Sequence, residues 1–225
     1  MTTEHSHATP ASIADAIGQA LATAIAERGT ALIAVSGGRS PIPIFHALRS
    51  RPLDWSRVTV ALVDERWVAP DHPDSNERLV RSELLVDRAA AAAFVPMKNA
   101  AADARGGQPG CEAAYRALPR PLDIILLGMG EDGHTASLFP DAPELRAGLE
   151  TDALTIAVTP PAAPHQRLSL TLSAILASRR IILPISGAAK RATYQAALSP
   201  GPVEAMPIRA VLRQGGTPVE LWISD

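Results

Sequence analysis

The sequence has one cysteine and few aromatic residues. With only Cys111 in 225 residues, no internal disulfide can form, which is consistent with a reducing compartment. We expect this thiol to be buried and inert. Three Trp, two Tyr and three Phe are too few for a platform that stacks nucleic-acid bases. The core must therefore be aliphatic, and burial of about 70% of the unfolded chain's surface at this length provides one.

Strong net charge and long apolar runs are also lacking. The 21 Lys and Arg residues nearly balance the 23 Asp and Glu residues, for a formal charge of −2. This balance disfavours a nucleic-acid partner. No apolar run reaches the roughly 20 residues of a membrane span, and MTTEHSHATP at the N-terminus lacks the apolar stretch of a signal peptide. We expect a cytoplasmic protein with no membrane or nucleic-acid partner.

Apolar runs alternate with helical segments along the chain. Runs without polar alternation are typical of strands covered on both faces of a parallel sheet, and they occupy 31–36, 58–63, 123–128, 154–158 and 180–185. Helices are predicted at 11–28, 41–48, 76–85, 111–118 and 188–198. The alternation indicates an α/β fold, with a Rossmann-like, mostly parallel sheet flanked by helices.

Three further segments complete the predicted organisation. Alternation in SLTLSAI, residues 169–175, predicts an edge or half-exposed strand, and residues 218–224 predict a last strand. The Ala-rich stretch 89–110 is the only candidate linker, but it is too short and too apolar to separate domains. We predict a single domain, residues 1–225, with residues 1–9 frayed.

The loop after the first predicted strand, SGGRSP, has features of a phosphate cradle. Gly37 and Gly38 allow close approach of the backbone, and a helix N-terminus favours anions. Arg39 adds a charged donor, and Pro41 suits the first helical turn. The alternative is an ordinary glycine turn in which Ser40 caps the helix. The loop lacks the Gly-Lys-Ser/Thr ending of a nucleotide P-loop.

Carboxylates and an arginine follow the strand at 58–63. Asp64 and Glu65 beside Arg66 could orient hydroxyl groups or exchange protons, and Asn76 opens the next helix. Alternatively, Asp64 and Arg66 form a surface ion pair and Asp74 caps the helix.

A third loop, GMGEDGH at 128–134, matches the dinucleotide pattern G-x-G-x-x-G. Glu131 and Asp132 would place negative charge where a pyrophosphate binds, and Pro140 limits any following helix to two turns. We therefore reject a dinucleotide site. What remains is a tight turn that presents His134 as a general base, with the Asp132 carboxylate to fix its tautomer.

Two more cations follow strand ends or open helices. Arg167 begins RLSLT, and Lys190 lies in the helix start GAAKR, where backbone donors and an ammonium suit a phosphate. The alternative for Lys190 is a solvated helix position. His5, His7 and His165 show no recognisable spacing, and we assign them no role.

Several kinds of catalytic site are not indicated. The sequence has no H-E-x-x-H motif, no cysteine pair, and no carboxylates at ligand spacing from histidines, so we predict no metal site. It also lacks the G-x-S-x-G motif of a serine hydrolase. Any hydrolysis must use water activated directly by a base.

Taken together, the loops resemble those of the 6-phosphogluconolactonase family of the pentose phosphate pathway. The resemblance runs over nearly the whole chain and rests on SGGRSP (36–41), VDERWV (63–68), DSN (74–76), GMGEDGHTASLFP (128–140), RLSLT (167–171) and GAAKR (187–191). It implies an α/β fold related to that of glucosamine-6-phosphate deaminase. It also implies hydrolysis of 6-phospho-D-glucono-1,5-lactone to 6-phosphogluconate without metal or cofactor.

The resemblance implies a role for each motif residue. His134 would deprotonate the attacking water, and Asp132 would orient His134. The residues that would bind the substrate are Gly37, Gly38, Arg39, Ser40, Arg167 and Lys190 at the 6-phosphate, and Asp64, Arg66 and Asn76 at the ring. Two candidates for the donor to the oxyanion remain, Arg66 and the backbone amides of residues 128–133. We expect a monomer.

Two other functions are compatible with parts of the sequence. A sugar-phosphate deaminase or isomerase resembles this chain in the D-G-H loop but typically carries an acid shortly after the histidine. Here HTASLFP, residues 134–140, contains none. A non-catalytic sugar-phosphate sensor of a transcription regulator would need a DNA-binding helix-turn-helix, for which the single helix before the first strand leaves no room.

Overall fold

The computed structural model describes residues 2–224, in which strands and helices alternate along most of the chain. The helices are α1 (Pro10–Arg28), α2 (Ile42–Arg49), α3 (Asn76–Glu83), α4 (Ala104–Arg116), α5 (Leu145–Glu150), α6 (Leu172–Leu176), α7 (Gly187–Leu198) and α8 (Ile208–Arg213). The strands are β1 (Thr2–His5), β2 (Ala31–Val35), β3 (Val58–Leu62), β4 (Asp64–Arg66), β5 (Ala93–Val95), β6 (Ile124–Leu126), β7 (Thr155–Val158), β8 (Arg167–Leu170), β9 (Ile181–Ser186) and β10 (Val219–Ser224).

Seven strands form a parallel sheet in the order β1-β10-β9-β6-β2-β3-β5. All five residues of β2 are buried, as the continuous apolar run predicted. Strands β3 and β5 extend the sheet from β2 in one direction, whereas β6, β9, β10 and β1 extend it in the other. The crevice between β2 and β6 is therefore the topological switch point, where α/β sheets bind ligands. The predicted α/β fold is confirmed.

The smaller sheet corrects two sequence predictions. Strands β4, β8 and β7 form an antiparallel sheet, so the run at 154–158 does not join the parallel sheet. Segment 169–175 is not an edge strand either. Its first residues end the central strand β8, and its later residues form α6, capped by Thr171, whose side chain accepts the N–H of Ala174. Ser169 is fully buried, with its hydroxyl bonded to the backbone of Ser137 and Leu170.

The N-terminal segment is ordered from Thr2, which corrects the prediction that residues 1–9 are frayed; Met1 lies outside the described residues. Strand β1 pairs in parallel with β10. His5 stacks on Trp222 with ring centroids 4.1 Å apart, and the hydroxyl of Tyr194 donates to Glu4. Helix α1 then begins at Pro10, after a capping box.

Helix α1 ends at Arg28, as predicted, because Gly29 adopts a left-handed conformation with φ of 80°. The candidate linker 89–110 is built into the fold: β5 pairs with β3, and α4 already begins at Ala104, where Asp103 caps it. No helix among residues 2–224 is long and apolar enough to cross a membrane. Cys111 is buried, and burial raises the pKa of its thiol to about 12.

Candidate active site

A cavity of about 190 Å³ opens at the switch point, between the carboxyl ends of β2 and β6. The loops after these strands are tied together, since the backbone N–H of Gly128 donates to the hydroxyl of Ser36 at 2.9 Å. Nine of the predicted site residues line this cavity: Gly37, Gly38, Ser40, Asp64, Arg66, Asn76, His134, Arg167 and Lys190. The fold therefore brings together residues as far apart in the sequence as Gly37 and Lys190.

Two predicted residues lie outside the cavity wall. Arg39 is exposed and is not among the lining residues. Asp132 does not line this cavity, but it contacts His134, which does. Arg39 is thus the one predicted residue that the structure leaves apart from the others.

His134 and Asp132 form a tight hydrogen-bonded pair. Nδ1 of His134 lies 2.6 Å from Oδ1 of Asp132, which also accepts the backbone N–H of His134 at 3.0 Å. The hydrogen bond from His134 lowers the pKa of Asp132, so the carboxylate is ionised and the imidazole Nδ1 must be the donor. This tautomer leaves Nε2 with a free lone pair, the form that a general base requires.

Close packing fixes the position of the imidazole. The ring lies against Phe139, with centroids 4.3 Å apart. The ring also occupies the space beside Gly130, where a β-carbon would lie 2.1 Å from Nδ1. Glycine is therefore required at this position for the histidine to adopt its orientation.

Asp64 and Asn76 are held by bonds that the sequence did not indicate. The Asp64 carboxylate is buried and accepts the hydroxyl of Ser137 at 2.6 Å. The amide of Asn76 donates to the Asp64 carbonyl at 2.8 Å. No ion pair joins Asp64 to Arg66 among the described residues; Arg66 instead donates to the Asp74 carbonyl at 2.5 Å. The alternative of a surface ion pair does not hold.

Glu65 is directed away from the cavity and into the start of α3. It is only 1% exposed, and its two carboxylate oxygens accept four hydrogen bonds. The donors are the backbone N–H groups of Arg66, Asn76 and Glu77 and the hydroxyl of Ser75. Burial raises the pKa of Glu65, and these bonds offset part of that effect. Ser75, not Asp74, is the residue that caps α3.

Sequence reasoning thus missed Ser137 and the structural role of Glu65. Ser137 lies within the motif segment 128–140, but the segment does not indicate that its hydroxyl bonds to Asp64. The strand pattern gave a partial signal for Glu65. Consecutive residues of a strand point to opposite faces, so Glu65 points away from the cavity that Asp64 faces.

Three cationic side chains, those of Arg66, Arg167 and Lys190, line the cavity. Arg167 is 7% exposed, and Nε of both Arg167 and Arg66 has no hydrogen-bond partner among the described residues. Burial lowers the pKa of Arg167 and of Lys190. Buried donors without acceptors are costly, so this arrangement favours an anionic ligand that satisfies them.

The glycine loop after β2 lines the same cavity as these cations. Lys190 donates to the hydroxyl of Ser40 at 3.3 Å, which joins the start of α7 to this loop. Ser40 does not cap α2, whose cap residue is Pro41 without a side-chain bond. A β-carbon on Gly37 would lie 1.8 Å from Oδ1 of Asn76, so the loop and α3 are in direct contact.

Near this cavity, two histidines and a carboxylate that showed no motif spacing in the sequence lie close together in space. His72, Asp74 and His165 each offer a donor atom, and these atoms lie within 4.8 Å of one another.

Fold and site define a class of α/β protein that combines an anion site with a histidine and carboxylate pair at the switch point. The sequence model of the family "Glucosamine-6-phosphate isomerases/6-phosphogluconolactonase" matches residues 4–220. The chain belongs to this family.

Individual relatives cover most of the chain. It is 44% identical over 204 residues to a 6-phosphogluconolactonase of Pseudomonas putida, a match that covers 90% of this chain and 84% of the relative. The chain is also 42% identical to the 6-phosphogluconolactonase of Rhizobium meliloti, in a match that covers 97% of this chain and 95% of the relative. A crystal structure of a 6-phosphogluconolactonase from Shewanella baltica superposes with a TM-score of 0.97 at 44% identity, over 100% of this chain and 98% of that one.

A glucosamine-6-phosphate deaminase has the same fold as this chain. A monomeric glucosamine-6-phosphate deaminase superposes with a TM-score of 0.79, over 98% of this chain and 97% of that one, at 20% identity.

Proposed function

We propose that the protein hydrolyses 6-phospho-D-glucono-1,5-lactone to 6-phospho-D-gluconate, the second step of the oxidative pentose phosphate pathway. The observation that carries this proposal is that a single cavity is lined both by a histidine bonded to a carboxylate and by cationic side chains. A substrate with a phosphate at one end and a lactone carbonyl at the other matches these two parts. The names of the relatives support the same substrate.

The phosphate lies between the glycine loop and the cations. In our proposal Lys190 and Arg167 supply charge, while Ser40 and the backbone of Gly37 and Gly38 supply neutral donors. Arg39 is exposed and joins only through rotation of its side chain toward the ligand. Asp64 and Asn76, both held by the surrounding hydrogen bonds, border the sugar ring and its hydroxyl groups.

The reaction uses water and the imidazole. Nε2 of His134 removes a proton from a water molecule as the oxygen attacks the lactone carbonyl carbon. The resulting oxyanion is stabilised by Arg66, whose Nε has no partner in the described structure. Collapse of the intermediate breaks the bond from this carbon to the ring oxygen, which takes the proton back from His134. Asp132 stabilises the imidazolium in between. No metal or cofactor takes part in these steps.

The decisive experiment is a lactonase assay. Freshly made 6-phosphogluconolactone is incubated with the protein, and 6-phosphogluconate is measured with its dehydrogenase and NADP. His134→Ala at equal concentration is the matched control. We expect wild type to exceed the spontaneous rate and the variant to approach it. A wild-type rate equal to the background overturns the proposal, and ammonia release from glucosamine 6-phosphate would instead support the deaminase alternative.

We further propose that the protein acts as a monomer in the cytoplasm. Leu198 is the one exposed large apolar side chain in residues 2–224, so this part of the surface offers no apolar patch for a stable interface. The unpaired, buried Cys111 is compatible with a reducing compartment.

A further inference from the structure

A cluster of two imidazoles and a carboxylate lies beside the active site. Nε2 of His165 is 3.0 Å from Oδ2 of Asp74, and Nδ1 of His72 is 3.9 Å from the same oxygen. The two imidazole rings meet edge to face, with centroids 5.5 Å apart. The donor atoms of all three residues lie within 4.8 Å of one another.

The pairing of β4 with β8 explains why these distant residues meet. The strands are antiparallel, with Arg66 opposite Arg167, so the loop after β4 and the loop before β8 leave the sheet at the same end. The backbone N–H of Trp67 donates to the Gln166 carbonyl at 2.7 Å and extends the pairing toward the loops. His72 and Asp74 lie on the first loop and His165 on the second.

The local backbone places both histidines next to Asp74. His165 has a φ of 68°, a left-handed conformation that non-glycine residues seldom adopt, and it directs the side chain toward Asp74. Nδ1 of His72 accepts the backbone N–H of Asp74 at 3.1 Å, so a metal bound by this nitrogen takes the place of that hydrogen bond. A metal bound by Nε2 of His165 likewise displaces the proton that Nε2 shares with Asp74.

The donor set selects the kind of cation. Two imidazole nitrogens and one carboxylate oxygen suit Zn²⁺ and similar transition metals, whereas Mg²⁺ and Ca²⁺ prefer oxygen ligands alone. Bonds of about 2.1 Å in a tetrahedral site place donor atoms about 3.4 Å apart. The observed separations of 3.0 and 3.9 Å lie on either side of that value. Asp74 is half exposed, which leaves room for water as a fourth ligand.

The charge around the cluster is mixed. The Asp74 carboxylate, with Oδ2 3.0 Å from Nε2 of His165, is the acidic member of the cluster and attracts a cation. Arg66, which donates to the Asp74 carbonyl, opposes a cation. Because the cluster is open to water, this repulsion is screened and the direct ligand bonds dominate.

We propose that His72, Asp74 and His165 bind one transition-metal ion of the Zn²⁺ class, which joins the loop after β4 to the loop before β8. The site is separate from the proposed catalytic pair and does not depend on the proposed reaction. It lies next to the strand residues Arg66 and Arg167, which line the active-site cavity.

Metal binding can be measured without an activity assay. Untagged protein is stripped with a chelator and titrated with Zn²⁺ by calorimetry, and with Co²⁺ by its visible absorption. We expect one ion per wild-type chain and a Co²⁺ spectrum of low coordination number. His72→Ala, Asp74→Asn and His165→Ala each weaken binding at least roughly tenfold, the lower end of what a change next to a metal ligand costs.

Two controls separate this site from other histidines. His46 pairs with Glu83 at 2.6 Å on the surface, so His46→Ala removes an equivalent pair that lacks a third ligand, and we expect it to bind like wild type. A variant with His5→Ala and His7→Ala is expected to do the same. Equal binding by His165→Ala and wild type, or no stoichiometric binding by wild type, overturns the proposal.

Thermal melting supplies a second readout in the same proteins. Without metal, each variant is expected to give a cooperative transition, because all three ligands lie on loops outside the core. Zn²⁺ raises the Tm of wild type and His46→Ala, since a ligand that binds only the folded state stabilises it. A Tm increase of the same size in His165→Ala also contradicts the proposal.

Discussion

The imidazole of His134 occupies the space that a side chain at Gly130 would fill. A β-carbon at Gly130 would lie 2.1 Å from Nδ1 of His134, closer than any real contact. The two residues lie in one turn, closed by the bond from the Gly130 N–H to the His134 carbonyl at 2.9 Å. The glycine that superficially suggests a dinucleotide loop thus has another purpose, which is to let the histidine lie over the backbone.

We therefore predict that Gly130→Ala displaces the imidazole and lowers kcat by about 100-fold, the cost of a misplacement of about 1 Å in a catalytic group. Gly215→Ala is the matched control, because no atom lies within 4 Å of the β-carbon that it would add. Steady-state kinetics on both variants, with circular dichroism to check folding, tests this. A Gly130→Ala enzyme with wild-type kcat would show that the contact does not fix the base.

Removal of the base should separate chemistry from binding. We expect His134→Ala to lower kcat by about 10²- to 10⁴-fold and to leave KM within a few-fold of wild type, since the imidazole acts on the attacking water. Asp132→Asn keeps the shape but loses the charge that stabilises the imidazolium, so we expect a smaller loss of kcat. A variant whose KM rises while kcat stays constant would assign His134 to substrate binding instead.

The sequence revealed the candidate site because parallel strands end at the same edge of a sheet. Loops after β2, β3, β6 and β9 therefore had to converge, and their polar residues with them. What the sequence could not give was the second sheet. The apolar run at 154–158 has the same pattern whether its strand pairs in parallel or not, and only the pairing of β4 with β8 brings His165 to Asp74. The direction of the exposed Arg39 side chain likewise depends on rotamers and not on pattern.

Lys190 should make phosphate binding sensitive to alkaline pH. Burial lowers the pKa of its ammonium, so the positive charge is lost on raising the pH at a lower value than for an exposed lysine. We predict that the affinity for 6-phosphogluconate, measured by calorimetry, falls as the pH rises from 7 toward 10. Lys190→Arg should keep its affinity over this range, because a guanidinium stays protonated.

A matched control is available for this measurement. Lys98 lies over the ring of Trp67 at 4.1 Å and does not line the cavity, so Lys98→Arg should show the pH dependence of wild type. If Lys190→Arg loses affinity as steeply as wild type, another group is responsible for the alkaline loss.

Glu65 should contribute mainly to the stability of the site's framework. Both of its oxygens accept N–H donors, so the NH₂ group of a glutamine would face a donor in either orientation. We predict that Glu65→Gln lowers the free energy of unfolding by about 1–3 kcal/mol, the cost of leaving such buried groups unsatisfied. Because the start of α3 also carries Asn76, KM should rise as well.

Glu83→Gln, which changes a surface pair with His46, is expected to cost less than about 1 kcal/mol in urea denaturation. Equal stability of the two variants would mean that α3 does not depend on the Glu65 carboxylate for its position.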